Sequence, residues 1–265
     1  KSFLPGEDAI MIPKTEDGRV LFAVPWHDKV IVGTTDTQLD EHSLEPSALE
    51  KEIEFILETF NNYLEKKVTR ADVRSIYAGL RPLAAPKDGS EKSKEISRSH
   101  KILVSETGLI TITGGKWTTF RRMAQDTVNK AISLGKLPKK ECKTADLKIH
   151  GAKENPDLSN HLYIYGSDQP EIQNLINEDS SLGEKLHPRL DFLKAEVVFA
   201  ARHELARTVD DVLARRVRML FMDAKAAIES APEVAALLAK ELEKDEAWKE
   251  KQVADFKEIA KHYTI

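Results

Sequence analysis

Hydrophobic and polar positions change period along this chain, and each change marks a predicted element. Ala9-Ile-Met-Ile-Pro13 is a short apolar run, and Asp17-Gly18 is a hairpin-turn pair before Arg19-Val-Leu-Phe-Ala-Val-Pro25. A third β-branched run, Lys29-Val-Ile-Val-Gly-Thr-Thr-Asp36, follows the polar break at Trp26-His-Asp28. Three such runs with short connections predict an antiparallel meander. The period then lengthens: Leu49, Ile53, Ile56, Leu57, Phe60 and Leu64 fall on one helical face, with Ser43 or Pro46 suited to the start. Val73 to Pro82 resumes the strand pattern, Pro86 to Glu95 is a charged loop, and Ile96 to Ser105 is a further strand.

The next stretch is Leu109-Ile-Thr-Ile-Thr-Gly-Gly-Lys-Trp-Thr-Thr-Phe-Arg-Arg122. It predicts a strand, a tight turn at Gly114-Gly115 and a helix starting near Lys116 and running through Met123, Ala124, Val128 and Ile132. From Gly135 to about Asp157 the apolar period is lost, which reads as a linker. Beyond it everything is helical. Gln169-Pro170 opens a short helix through Ile176, and Asp191 to Arg207 forms a longer one. Thr208-Val-Asp-Asp211 has the capping-box form and announces a helix through Met219. Pro232 suits the first turn of another helix. Asp245 to His262 makes a last amphipathic one with Trp248, Val253, Phe256 and Ile259. The predicted fold class is α+β, an antiparallel or mixed sheet with packing helices followed by an all-helical region. The predicted division is 1–135, a linker at 136–157, and a helical cap over 158–265.

Composition narrows the chemistry. The chain has 265 residues, 41% hydrophobic and 32% charged, enough for a real core under a solvated surface. A net charge of -4 argues against a general nucleic-acid binder. The single cysteine, Cys142, excludes an intrachain disulfide and a cysteine-cluster metal site, and makes the cytoplasm the default compartment. No apolar run approaches the roughly 20 residues needed to cross a bilayer. The eight histidines show no metal-ligand spacing, and neither a nucleophile elbow nor a Walker-type loop occurs.

Two features carry possible chemistry, and two more read as structural. Cations are normally disfavoured at a helix N-terminus, yet Lys116, Arg121 and Arg122 crowd the predicted one. An anionic or electron-rich ligand at the glycine turn explains them; an ordinary strand-to-helix turn with cations in solvent explains them equally. Arg81 at a strand end and Arg98 inside a strand could form a guanidinium fork for a phosphate or carboxylate, or each could pair with an acid of the chain. His27 is expected to be a surface-turn residue and not a catalytic base, because it lacks a partner in sequence. His203-Glu204 and Arg215-Arg216-x-Arg218 read as an ion-pair face.

Tyr77-Ala-Gly-Leu-Arg-Pro-Leu83, Ile96-Ser-Arg98, Gly114-Gly-Lys-Trp-Thr-Thr-Phe-Arg121 and His203-Glu-Leu-Ala-Arg-Thr-Val-Asp-Asp-Val-Leu-Ala-Arg-Arg216 occur in that order. Together with Gly33-Thr-Thr-Asp36, this ordered set resembles the FAD-dependent glycerol-3-phosphate dehydrogenases that feed quinone. The resemblance spans essentially the whole chain and implies a flavoprotein fold of the D-amino-acid-oxidase type. No Gly-x-Gly-x-x-Gly loop for the FAD pyrophosphate occurs here. The resemblance therefore implies a C-terminal portion that would not retain FAD or be active alone. The family's proton-accepting histidine would also lie outside it.

Residue by residue, the resemblance implies that Gly114, Gly115, Lys116, Trp117 and Thr118 contact the pyrimidine side of the flavin. It implies that Arg81 lies beside the reacting carbon and the phosphate of glycerol 3-phosphate, and that Arg98 is a second phosphate arginine. Trp117 departs from a position often aliphatic in the family. The implied reaction yields dihydroxyacetone phosphate and passes electrons to quinone, in a protein peripheral on the inner membrane face; the sequence leaves a homodimer open. An oxygen-dependent glycerol-3-phosphate oxidase shares these motifs. A non-enzymatic interaction module is the remaining alternative if the native chain is only this long.

Overall fold

In the computed structural model, residues 2–13, 15, 18–81 and 99–265 are described. They form two compact units, one of residues up to Gly79 together with Lys153–Ile265, the other spanning Leu80–Ala152.

The first unit opens with the meander that the alternation predicts. Strands β1 (Ile10–Ile12), β2 (Leu21–Trp26) and β3 (Lys29–Gly33) form an antiparallel sheet in that order. Its register pairs Ile12 with Leu21 and Phe22 with Gly33. Ile12, Leu21 and Ala23 turn to one side and are buried. Helix α1 (Glu50–Asn61) covers them with Ile56 and Phe60, and Leu64 just beyond the helix completes this core. The helix starts later than Ser43 or Pro46, because Glu52 reaches back to accept the N–H of Leu49 at 3.1 Å. Asp17 lies outside the described residues; Gly18 beside it has φ of +79°, and its N–H bonds the Thr15 carbonyl. The β2–β3 turn is the two residues His27-Asp28, between paired Trp26 and Lys29.

Val73 to Arg81 is not a strand, contrary to the pattern. Its backbone instead bonds the helical region: the Arg74 carbonyl accepts from Ala224 N–H, and Ile76 N–H donates to the Tyr263 carbonyl, each at 3.0 Å. An extended, apolar-alternating segment needs backbone partners, and here helices supply them instead of a sheet.

The helical region holds α3 (Gln169–Glu178), α4 (Lys194–His203), α5 (Met219–Met222), α6 (Ala224–Leu242) and α7 (Glu246–Ala260). Helix α4 is shorter than the pattern Asp191 to Arg207. At its front, the chain pairs with itself through Leu186 N–H to the Phe192 carbonyl; beyond its end, Leu205 takes a left-handed φ of +58°. Thr208 and Asp211 make the predicted capping box, with Asp211 N–H to Thr208 Oγ1 and Thr208 N–H to Asp211 Oδ2 both at 3.0 Å. The helix it starts widens to a π turn over Asp211–Arg216 and breaks before Arg218, whose φ is +57°.

Pro232 does not begin a helix. It lies inside α6, exposed, while Ala227, Ser230, Ala231, Val234, Ala235 and Leu238 fill the buried face. The start belongs to Asp223, whose Oδ1 accepts the Ala226 N–H at 2.9 Å. Asp223 is itself buried and is held by Arg189 at 3.1 Å. Phe256 of α7 is fully buried in this core; truncating such a side chain to alanine costs about 3–5 kcal/mol. The hairpin tip packs here as well, through Trp26.

The second unit is a hairpin and a helix. Strands β4 (His100–Val104) and β5 (Ile110–Gly114) pair antiparallel from His100 with Gly114 to Val104 with Ile110. Helix α2 (Phe120–Leu134) follows, and the chain then runs irregularly to Ala152.

Candidate functional site

The glycine turn is built by conformations that side chains resist. Strand β5 ends at Gly114 with φ of +73°, and Gly115 follows at +83°. Two successive left-handed residues reverse the chain sharply, and glycine adopts them without a Cβ penalty. A Cβ at Gly115 would also meet Met123 Sδ at 2.5 Å and His100 Cβ at 3.3 Å, so the first turn of α2 sits directly over the turn. Lys116 then returns to an extended conformation, and a tight 3-10 turn at Trp117–Thr119 leads into α2. Thr119 fastens this junction: its hydroxyl accepts from Lys116 N–H at 3.2 Å and donates to the Lys116 carbonyl at 2.9 Å.

The three cations of the turn do not act together. Arg121 donates to Gln125 Oε1 at 2.9 Å and to Thr144 Oγ1 at 3.2 Å. Arg122 pairs with Asp126 at 3.1 Å, and His100 Nε2 lies 3.1 Å from the same carboxylate. Both arginines are thus turned back to protein partners. Lys116 alone of the three has no side-chain partner among the described residues, and it is exposed. Beside it, Trp117 is 86% exposed and stacks on Phe120 with ring centroids 5.7 Å apart. An exposed stacked aromatic pair beside an ammonium that has no side-chain partner among the described residues suits a flat, electron-rich ring better than a free phosphate.

Arg81 is exposed and lies in the same compact unit, together with Gly114, Gly115, Lys116, Trp117 and Thr118. Arg98 and Pro82, with the loop from Pro86 to Glu95, lie outside the described residues, so the fork of two arginines is not described here.

Sequence reading missed one part of this neighbourhood. The stretch read as a linker lays Thr144 against Arg121, and Cys142 Sγ lies 3.1 Å from Thr144 Oγ1. Hydrogen bonds with Thr144, and then the Arg121 charge, hold the half-buried thiol below its ordinary range. Nothing local in the sequence signals a contact between residues this far apart.

The other singled-out residues are structural. His27 occupies the β2–β3 turn with φ of +51°, its ring 5.0 Å from that of Trp26. Burial, then the Arg218 charge, lowers its pKa, which suits a turn residue held neutral. Arg215 pairs with Asp210, and Arg216 Nη2 donates to the Glu204 carbonyl at 2.5 Å, which is the expected ion-pair face. Burial pushes the Glu204 carboxyl up, while Arg216 acts in the opposite direction from 3.8 Å.

The family described as "C-terminal domain of alpha-glycerophosphate oxidase" matches residues 105–249, and that described as "FAD dependent oxidoreductase" matches residues 3–121. The two matches overlap across the β5–α2 junction, where the glycine turn lies. Among relatives, the mitochondrial glycerol-3-phosphate dehydrogenase SDP6 of Arabidopsis thaliana is 37% identical over 97% of this chain and 45% of its own length. The human mitochondrial glycerol-3-phosphate dehydrogenase is 35% identical over 95% of this chain and 37% of its own. The chain thus spans less than half the length of these relatives. The crystal structure of a glycerol-3-phosphate dehydrogenase from Bacillus halodurans, complexed with FAD, superimposes with a TM-score of 0.77 at 24% identity, over 98% of this chain and 54% of that one. That likeness shows the fold: mixed α and β, of the D-amino-acid-oxidase type, with a helical C-terminal region.

Proposed function

Because this chain belongs to the family defined by the C-terminal domain of alpha-glycerophosphate oxidase, with an FAD-dependent oxidoreductase segment ahead of it, we propose that its whole protein oxidises sn-glycerol 3-phosphate to dihydroxyacetone phosphate. The observation that carries the proposal is the β5–α2 turn, with Gly114 and Gly115 left-handed, Lys116 without a side-chain partner among the described residues and Trp117 exposed, inside the overlap of the two family matches. These residues fit FAD: Trp117 offers an exposed aromatic face to a planar ring, and the Lys116 ammonium suits its electron-rich pyrimidine edge. Bound FAD supplies the hydride acceptor.

The chain's own residues do the rest. Gly114 and Gly115 bring backbone to the ring edge, and Lys116 offsets negative charge that accumulates there. Arg81 holds the substrate phosphate and polarises the developing carbonyl oxygen, and Arg98 supplies a second contact to the phosphate. Arg121 and Arg122 keep α2 and its neighbours in place and stay out of the chemistry.

Electron transfer to quinone is part of the proposal, and the oxidase is its alternative. Assaying the whole protein with glycerol 3-phosphate for quinol and for hydrogen peroxide separates them; peroxide as the main product would overturn the quinone reading. Failure to reduce any dye with glycerol 3-phosphate would overturn both. We further propose that 136–157 links the parts 1–135 and 158–265 in sequence, which limited proteolysis within it would test, although residues up to Gly79 belong to one compact unit with Lys153–Ile265. A chain of these 265 residues alone is proposed to purify without FAD, and a yellow, stoichiometrically loaded sample would contradict that. The proposed location is cytoplasmic, peripheral on the inner face of a membrane; no helix among the described residues is long and apolar enough to cross one. Co-flotation of the whole protein with anionic liposomes tests this, and a protein left wholly in the aqueous fraction would refute it.

A further inference from the structure

A polar bond between β4 and α2 closes over the glycine turn. His100 is the first residue of β4 and stands opposite Gly114, in the last pair of the ladder before the turn. Its Nε2 lies 3.1 Å from Asp126 Oδ2 on α2, and because a carboxylate only accepts, the ring donates. Asp126 is three residues past Met123, so the two side chains leave the same face of the helix. Met123 covers Gly115, and His100 Cβ would stand 3.3 Å from a Cβ placed there. Arg122 Nε lies 3.1 Å from Asp126 Oδ1 and 3.2 Å from Oδ2, which steadies the carboxylate that His100 meets. The side chains of His100 and Asp126 are both largely withdrawn from solvent, at 23% and 26% exposure.

Apolar packing does not hold α2 in place. None of its 15 residues is buried, whereas α7, of the same length, buries Phe256 and Ala260. A few specific contacts therefore decide where the first turns of α2 lie, and a hydrogen bond to an ionised group is among the stronger ones. Gly114, Gly115 and Lys116 connect the ladder to this helix, so the bond from His100 to Asp126 fixes both ends of the segment. The Lys116 ammonium has no side-chain partner among the described residues, and its place is set by its backbone.

We infer that His100 is a positioning residue for the flavin: through Asp126 it fixes the glycine turn, and with it the place of Lys116 against the ring. The imidazole touches neither flavin nor substrate. A charge that stabilises reduced flavin is effective only when it is held in the productive geometry. The inference rests on the proposed contact of this turn with FAD.

The test is potentiometric titration of the FAD-loaded whole protein at about pH 8, above the ordinary histidine range. The variants are His100→Ala, His100→Phe, His100→Gln and Lys116→Met, with His100→Ala also made in the Lys116→Met background. Thermal midpoint is recorded for each. His100→Ala is expected to weaken reduced flavin about threefold more than oxidised flavin, which lowers the two-electron potential by about 15 mV. His100→Phe keeps the bulk of a ring without the donor and is expected to show the same drop, so the inference stays testable if His100→Ala does not fold. His100→Gln keeps an N–H donor and is expected to stay near wild type. With Lys116 gone, His100→Ala is expected to move the potential no further. A clamp that serves stability alone would lower the thermal midpoint of His100→Ala and His100→Phe and leave their potential unmoved. That result, with Lys116→Met shifted, overturns the inference and leaves the flavin turn standing. Additive shifts from His100→Ala and Lys116→Met would overturn it equally, since His100 would then act on the flavin without Lys116. If Lys116→Met itself leaves the potential unmoved, the contact of the turn with FAD fails, and the inference falls with it.

Discussion

Met123 lies so close over Gly115 that a Cβ at Gly115 would stand 2.5 Å from its sulfur. The thioether end can swing away, but the 3.3 Å approach to His100 Cβ and the φ of +83° would remain. Gly115→Ala is therefore expected to destabilise the protein by about 1–3 kcal/mol, the scale for a non-glycine residue held in a left-handed conformation. Urea unfolding of the whole protein measures this, and flavin affinity should fall in parallel. An unchanged unfolding midpoint would show that the turn relaxes more freely than its geometry indicates.

Lys116 has a separate consequence. If its ammonium faces the flavin edge, it stabilises the anionic reduced form more than the oxidised form. Lys116→Met should then lower the two-electron potential by about 30 mV, equivalent to about 1.4 kcal/mol. Potentiometric titration of the holoprotein reads this directly, and an unmoved potential would remove Lys116 from the site.

The arginines should act on substrate, not on flavin. Arg81→Ala and Arg98→Ala are each expected to cost about 2–4 kcal/mol in kcat/KM, mostly through KM, as expected for a lost charged contact to a phosphate. Unchanged kinetics with either variant would take that arginine out of the site.

His27 makes stability depend on pH in a known direction. Burial comes first, then Arg218 and Lys29, in lowering its pKa, with Asp28 opposing. The unfolded chain therefore takes up the proton at higher pH than the folded one does. Stability from the neutral ring is complete above the ordinary histidine value, near 6.5, and is lost as pH falls from there toward the lowered folded value. His27→Asn keeps a side chain that tolerates the left-handed turn but does not titrate. It should reduce the fall in unfolding free energy between about pH 7 and pH 5. An equal fall in both proteins would show that His27 is not a source of it.

What could be read from the sequence was mostly what local chemistry decides. The meander followed from alternation around Ile12, Leu21 and Ala23, and the Thr208–Asp211 cap closes within a single turn. Val73 to Arg81 looked like a strand because an extended segment held by helices has the same alternation. Its partners, Ala224 and Tyr263, are far away in sequence. Pro232 was misread because a proline also suits a helix start; the earlier alanine-rich turn and the Asp223 cap outweigh it. At the candidate site, the glycines were legible, since two left-handed residues leave few alternatives. The contacts of Thr144 with Arg121 and of His100 with Asp126 were not, because they form only through the tertiary fold, whereas Gln125 and Asp126 reach the two arginines from one helical turn away.

The central claim is that the family assignment and the β5–α2 turn together mean oxidation of glycerol 3-phosphate on FAD. Anaerobic mixing of the FAD-loaded whole protein with sn-glycerol 3-phosphate tests it most directly, with the visible flavin absorbance followed through a single turnover. The account predicts that the absorbance bleaches with glycerol 3-phosphate and not with glycerol, and that Arg81→Ala slows the bleaching at subsaturating substrate. Flavin that stays oxidised with glycerol 3-phosphate would contradict it.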